Sequence, residues 1–304
     1  MTLFHGLSAF PITPCDTAGV VDTVALQRLI KRLDVDGVHS IGLLGSTGTY
    51  AYLDRKQRRC AVVAAKQTNA DKPMIVGAGA LRTDATCALA ADAQAAGADA
   101  LLIAPVSYTP LTSDEVFAHF ETVAAETDLP ICIYNNPSTT HFNFDIPLLQ
   151  RLAALPNITA VKMPLPAGGS VADDLAALRI ALPGDFVIGY SGDFGCCDAL
   201  RAGADSWFSV IGGTFPTVAA RLTAAAMDGD ENAALAQNAA LAPLWALFRQ
   251  HGGLRVVYAI ANHLGLTDAE PPLPVRPLHA TLNAQIAEIA TVLSQAEKDA
   301  LTYS

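Results

Sequence analysis

Lys162 closes the apolar run Ile158-Thr159-Ala160-Val161 and is the only lysine between Lys72 and Lys298. An amine in an apolar setting is harder to protonate than one in water, and its neutral form is a nucleophile. Attack on a ketone, followed by loss of water to an imine, is the chemistry such an amine serves. The plain alternative is a solvated cation at a strand end. Tyr134, 28 residues earlier, closes a second apolar run, Ile131-Cys132-Ile133. Its phenol can shuttle a proton during imine formation and C–C bond chemistry, or the ring can simply pack. A third feature, Gly45-Ser46-Thr47-Gly48, is a small turn rich in hydroxyls. Exposed N–H groups there, with the Ser46 and Thr47 hydroxyls, suit a carboxylate; read plainly, it is a tight turn.

Other chemistries find less support. Gly189-Tyr190-Ser191-Gly192-Asp193 resembles a serine-hydrolase elbow without its final glycine, and no His and acid pair can be assigned to Ser191. Gly212-Gly213 resembles the phosphate loop of some barrels, although a close approach of backbones accounts for it equally well. The seven histidines contain no pair at metal-ligand spacing. A metal-free reaction without a bound cofactor is expected.

The positions of these residues depend on a repeating pattern. Strands are expected near residues 6–10, 40–44, 74–77, 100–104, 131–134, 159–162, 186–189 and 207–211, with starts 21 to 34 residues apart. Amphipathic, Ala-rich stretches at 25–33, 55–67, 85–96, 114–126, 146–154, 171–182, 196–202 and 216–227 predict helices between them. Asp22, Asp54, Thr112-Ser113 and Asp145 stand where N-caps belong. Ala-Gly-Ala-Asp occurs at 96–99 and again at 202–205, where the glycine can end a helix in the left-handed conformation. Eight βα units with near-continuous apolar strands predict a (β/α)8 TIM barrel, of the α/β class, over residues 1–228. A doubly wound sheet is the alternative, but the chain carries no dinucleotide fingerprint. Residues 229–304 predict a C-terminal helical appendage of three helices, near 231–250, 256–265 and 278–300. In such a barrel the C-terminal strand ends form the active site, which is where Lys162, Tyr134 and the Gly45–Gly48 turn fall.

Composition narrows the partners. The 304 residues carry 19 basic and 29 acidic side chains, a formal net charge of −10, which disfavours nucleic acid. No apolar stretch reaches the ~18 residues that span a bilayer. The first residues lack the pattern of a secretion signal. Six cysteines without paired spacing fit a reducing, cytoplasmic location, and the vicinal pair Cys196-Cys197 is read as packing. Only 16% of residues are charged, against about 25% in a typical domain. So sparse a charged surface suggests burial against other subunits.

The order and spacing of Ala9-Phe10-Pro11-Ile12-Thr13-Pro14, Gly45-Ser46-Thr47-Gly48, Tyr134-Asn135-Asn136-Pro137, Lys162, Ser191-Gly192-Asp193 and Phe208-Ser209-Val210 resemble the dihydrodipicolinate synthase / N-acetylneuraminate lyase family. The resemblance implies a lyase of the class I aldolase type, usually a homotetramer, acting on pyruvate or another 2-oxo acid and an aldehyde. It implies Lys162 as the Schiff-base nucleophile, Tyr134 as proton relay and Ser46 and Thr47 as the carboxylate site. Phe208 corresponds to an apolar pocket residue, and Tyr108 to a tyrosine donated across a subunit interface. Departures bear on the second substrate. Thr49 replaces the family's glutamate after the turn, and Thr139 stands where the synthase proper has an arginine that grips aspartate semialdehyde. Arg255, after the Gly252-Gly253 turn, is the candidate to replace that arginine. A different aldehyde, the biosynthetic synthase reaction and a 2-keto-3-deoxy sugar acid aldolase or dehydratase all remain open. So does a non-catalytic barrel that binds a small molecule or phosphate.

Overall fold

The computed structural model describes residues 3–68 and 70–302. Eight parallel strands close into one barrel in sequence order: β1 (Gly6–Ala9), β2 (Val38–Leu43), β3 (Met74–Gly77), β4 (Ala100–Ile103), β5 (Ile131–Tyr134), β6 (Ile158–Met163), β7 (Val187–Tyr190) and β8 (Ser206–Ser209). β8 pairs back onto β1 from Gly6↔Ser206 to Ala9↔Ser209. The helices around the barrel are α1 (Thr23–Arg32), α2 (Arg55–Lys66), α3 (Thr83–Ala95), α4 (Ser113–Ala125), α5 (Pro137–Thr140), α6 (Ile146–Ala153), α7 (Val171–Ala181), α8 (Asp193–Arg201) and α9 (Pro216–Met227). The (β/α)8 expectation holds, and α5 is an additional single turn in the β5–α6 connection.

Strand alternation sorts the side chains into two layers. Ile41, Leu43, Ile131, Ile133, Val161 and Ile188 point outward to meet the helices. Ile75, Leu102, Cys132, Tyr134, Ala160 and Phe208 point into the barrel. Lys162 lies two residues beyond Ala160, so the same alternation turns the lysine inward near the C-terminal end.

Local chemistry fixes the joints. Asp22, Asp54 and Asp145 each accept backbone N–H bonds at the starts of α1, α2 and α6. Thr112 and Glu115 form a reciprocal capping box on α4. Both copies of Ala-Gly-Ala-Asp do the same work. Gly97 and Gly203 are left-handed, and each aspartate clasps the neighbouring strand. Asp99 Oδ2 accepts from Met74 N at 2.8 Å, and Asp205 Oδ2 accepts from Ile188 N at 2.7 Å.

Several boundaries differ from the sequence expectation. α8 begins at Asp193 rather than Cys196. β8 stops at Ser209 because Val210 and Ile211 donate their N–H groups to the Asp193 carboxylate, at 3.0 and 2.7 Å, instead of to a strand. The helix expected over 231–250 is two helices, α10 (Glu231–Ala240) and α11 (Ala242–His251). Pro243, in the first turn of α11, has no N–H with which to continue α10. They are followed by α12 (Gly253–His263) and α13 (Asn283–Thr302).

These last helices reach the mouth of the barrel. Tyr258 on α12 donates its phenol to Thr13 O at 3.2 Å. Glu297 on α13 accepts from Val218 N at 2.8 Å, capping the first turn of α9 from a distant helix. Cys196 and Cys197 are buried free thiols directed at backbone carbonyls, as packing residues are. Among the described residues, no helix is long and apolar enough to cross a membrane.

Candidate active site

Register places Tyr134 on β5 beside Lys162 on β6, and Lys162 beside Gly189 on β7. Lys162 is 4% exposed. Its Nζ lies 4.0 Å from the ring centre of Phe10, 4.4 Å from that of Tyr134 and 5.5 Å from that of Phe208. Aromatic faces attract cations, so an ammonium, or an iminium formed on it, is held under ring faces rather than in water. Glycines make room for these rings. A Cβ on Gly189 would lie 2.6 Å from the Phe208 ring, and one on Gly45 would lie 2.6 Å from Phe10.

The Tyr134 phenol is held from behind. Asn136 Nδ2 donates to the phenolic oxygen at 3.1 Å, while Asn136 Oδ1 accepts from Ser138 Oγ at 2.8 Å. With its oxygen occupied by the amide, the phenol is left with its own proton to give. Asn135 is fully buried, donating its N–H to Lys162 O at 3.1 Å and its amide to Asn143 Oδ1 at 3.3 Å. The Tyr134–Asn136 segment is thereby tied to the end of β6.

The Gly45–Gly48 turn follows β2. Leu44 and Thr49, on either side of it, both have positive φ, 56° and 55°. Conformations of that kind cost energy for non-glycine residues and are maintained only by firm surroundings. Gly48 lies against the Leu44 backbone, where a Cβ would come within 3.0 Å. Thr47 is buried and Ser46 half-buried. Thr49 is also buried, and its side chain opposes the rise that burial imposes on the Tyr258 phenol. The residue that replaces the family's glutamate thus lies close to α12.

Tyr50, next in the chain, is buried with the Arg58 guanidinium 5.1 Å from its ring centre. Burial, aided by the nearby Tyr134 phenol, raises the Tyr50 hydroxyl above the usual phenol range, and Arg58 opposes this. Arg58 is itself buried, and its guanidinium donates to Leu53 O and Gly79 O.

Phe10 and Asp193, like Asn136, carry no role in the sequence expectation. Phe10 reads in sequence as one more apolar residue of the first strand. Asp193 was visible only within the Ser191-Gly192-Asp193 motif, with no role. In the fold Asp193 is 1% exposed. Burial raises its carboxyl above the usual range; the N–H groups of Ile211 and Val210, the Trp207 indole and the Lys162 charge oppose the shift. It is a buried acid whose carboxylate fixes the segment that follows Phe208.

Other sequence candidates stand on the loops and helices that surround the strand ends. Tyr108 is 96% exposed on the loop after β4. Thr139 is exposed on α5, with its hydroxyl turned back to Asn136 O at 3.2 Å. Arg255 is half-buried and donates to His251 O at 3.4 Å. Gly213 needs its lack of a side chain because it abuts the Phe10–Pro11 backbone, which is the close-approach reading of that glycine pair.

An amine under aromatic faces, a phenol with a directed proton and a hydroxyl-bearing turn are together suited to imine chemistry on a small keto acid. Comparison with known proteins points the same way. The Dihydrodipicolinate synthetase family matches residues 3–293. A 4-hydroxy-tetrahydrodipicolinate synthase of Corynebacterium diphtheriae is 32% identical over 274 residues, covering 90% of this chain and 89% of that protein. The crystal structure of dihydrodipicolinate synthase from Agrobacterium tumefaciens superposes with a TM-score of 0.93 at 54% identity, covering 95% of this chain and 98% of that one. The synthase from Aquifex aeolicus gives a TM-score of 0.88 at 27% identity, covering 96% and 98%. Family match, relatives and barrel agree: the chain belongs to the dihydrodipicolinate synthetase family and is a lyase of the lysine Schiff-base type.

Proposed function

We propose that Lys162 forms the Schiff base with pyruvate or a closely related 2-oxo acid, and that an aldehyde is the second substrate. The observation that carries this is the placement of Lys162 Nζ inside the barrel mouth, 4.4 Å from the Tyr134 ring and covered by Phe10 and Phe208. The amine attacks the keto carbon, and the carbinolamine loses water to give the imine. Tyr134 relays the protons. Ser46 and Thr47 bind the carboxylate, with Phe208 as an apolar wall. In the assembled protein Tyr108 reaches a neighbouring subunit. Borohydride reduction in the presence of pyruvate is expected to leave a stable adduct on the wild type and none on Lys162→Ala. An adduct on the variant would falsify the assignment of the nucleophile.

The second substrate separates two readings. We favour an aldehyde other than aspartate semialdehyde, because Thr139 offers a neutral hydroxyl, already turned to Asn136 O, where an arginine would grip a carboxylate. Losing such a grip costs about 1.5–3 kcal/mol per charged hydrogen bond, roughly 10- to 150-fold in kcat/KM at ~1.4 kcal/mol per tenfold. The biosynthetic synthase reaction is the second reading, supported by relatives that bear the name 4-hydroxy-tetrahydrodipicolinate synthase at 30–34% identity. Steady-state kinetics at fixed pyruvate decide. Aspartate semialdehyde is expected to be the poorer substrate when compared with hydroxylated, uncharged aldehydes. Turnover of aspartate semialdehyde that outpaces all of them would establish the second reading.

A further inference from the structure

We propose that Phe10 is a specificity residue that restricts the 2-oxo acid carried on Lys162 to the shortest members, of pyruvate size. This rests on the assignment of Lys162 as the Schiff-base lysine.

Phe10 follows β1, and both its backbone and its ring are held in place. Its N–H donates to Ser209 O at 2.8 Å. Gly213 presses on the far side, where an added Cβ would lie 2.6 Å from Pro11 N, so the backbone has no room to withdraw. The ring is 2% exposed and crosses the barrel interior over Gly42 and Gly45, in space that side chains at those positions would fill. One edge meets Phe208, with centroids 6.0 Å apart at 75°. The face looks onto Lys162 Nζ at 4.0 Å. Phe208 is also confined, because Gly189 leaves it the only space it has on that side. The nitrogen that would carry the keto acid is therefore bounded by two confined rings, with that of Tyr134 beside them.

Contact between a ring face and the positive nitrogen is the same for every 2-oxo acid, since each gives one iminium cation. It cannot select among them. Volume can, because the carbons of the acid extend from the atom that the Phe10 face covers. A rigid apolar pocket discriminates one methylene by roughly 10- to 200-fold. That is the penalty expected for 2-oxobutanoate relative to pyruvate.

The test is a competition. Wild type, Phe10→Ala and Phe10→Leu are incubated with equal pyruvate and 2-oxobutanoate, reduced with borohydride, and the two adducts on the intact chain are counted by mass spectrometry. The ratio is internal to each sample, so it does not depend on how much of a variant folds or turns over. Wild type is expected to favour pyruvate by tenfold or more. Phe10→Ala should bring the ratio to within about threefold, with Phe10→Leu between them. If Phe10→Ala does not fold, the Leu variant decides by the same shift. A ratio unchanged by substitution, or a wild type that traps both acids equally, overturns the role of Phe10 while leaving Lys162 as the nucleophile. A wild type with no adduct from either acid overturns the Lys162 assignment and this proposal with it.

Discussion

The hydrogen bond from Asn136 to Tyr134 sets how two substitutions should rank. Tyr134→Phe keeps the ring that faces Lys162 and removes the proton, and general acid–base groups are worth about 10²–10⁴ in rate. Asn136→Leu leaves the proton in place and removes the 3.1 Å bond that aims it, along with the bond that Asn136 accepts from Ser138. A neutral hydrogen bond contributes about 0.5–1.5 kcal/mol, so kcat is expected to fall roughly 2- to 10-fold, at ~1.4 kcal/mol per tenfold. Steady-state rates on the two variants check the order. A loss under tenfold for Tyr134→Phe would demote the phenol to packing. An equal loss for Asn136→Leu would make the amide a participant rather than a support. Sequence reading could find Lys162, because a lone lysine at the end of an apolar strand breaks a pattern. It could not find Phe10, because an aromatic in an apolar run conforms to one. Asn136 was hidden for a related reason: beside a proline, asparagine reads as turn chemistry.

Among the elements, the same division separates local from distant interactions. Asp22, Asp54 and Asp145 cap the helices they precede, and adjacent residues announce them. Asp193 instead accepts from Trp207, Ser209, Val210 and Ile211, 14 to 18 residues ahead, and Glu297 caps α9 across 79 residues. No spacing rule signals such partners, and the early end of β8 depends on one of them, Asp193. The cap from α13 has a testable pH dependence. Burial raises the Glu297 carboxyl above its ordinary value, against the pull of the Val218 N–H, the Thr217 side chain and the Arg32 charge. A carboxyl raised by folding contributes stability that is full below the ordinary carboxylate pKa, near 4.3, and is lost as pH rises through the folded value. Glu297→Gln keeps an acceptor for Val218 N but never ionises. Its Tm relative to wild type should therefore climb as pH rises above about 4.3 and through the folded value. A flat difference would show that Glu297 does not titrate in the folded chain. Glu297→Ala loses the cap itself, so its cost should be largest at low pH, about 0.5–2 kcal/mol as for the loss of an N-cap, and shrink as pH rises.

On the scale of the whole molecule, the low charge count meets a specific surface. Tyr52, Leu81 and Tyr108 are 45%, 68% and 96% exposed, and they sit on the loops after β2, β3 and β4, which are neighbours around the mouth. Single exposed apolar residues are ordinary, but three on adjacent loops make this side of the mouth the candidate contact surface. We propose that this face is covered by another copy of the chain and that the protein is a homotetramer. Light scattering should then give four times the 31.7 kDa chain mass. Leu81→Asp with Tyr108→Asp should divide the assembly, because charges placed in a packed apolar contact are left without partners. In the isolated chain both side chains face water, where substitutions usually change stability by no more than about 0.5 kcal/mol. A drop in mass, or in Tm that depends on protein concentration, would thus report the interface and not the barrel. A wild type that runs at the mass of one chain would refute the tetramer and with it the reading of the sparse surface charge.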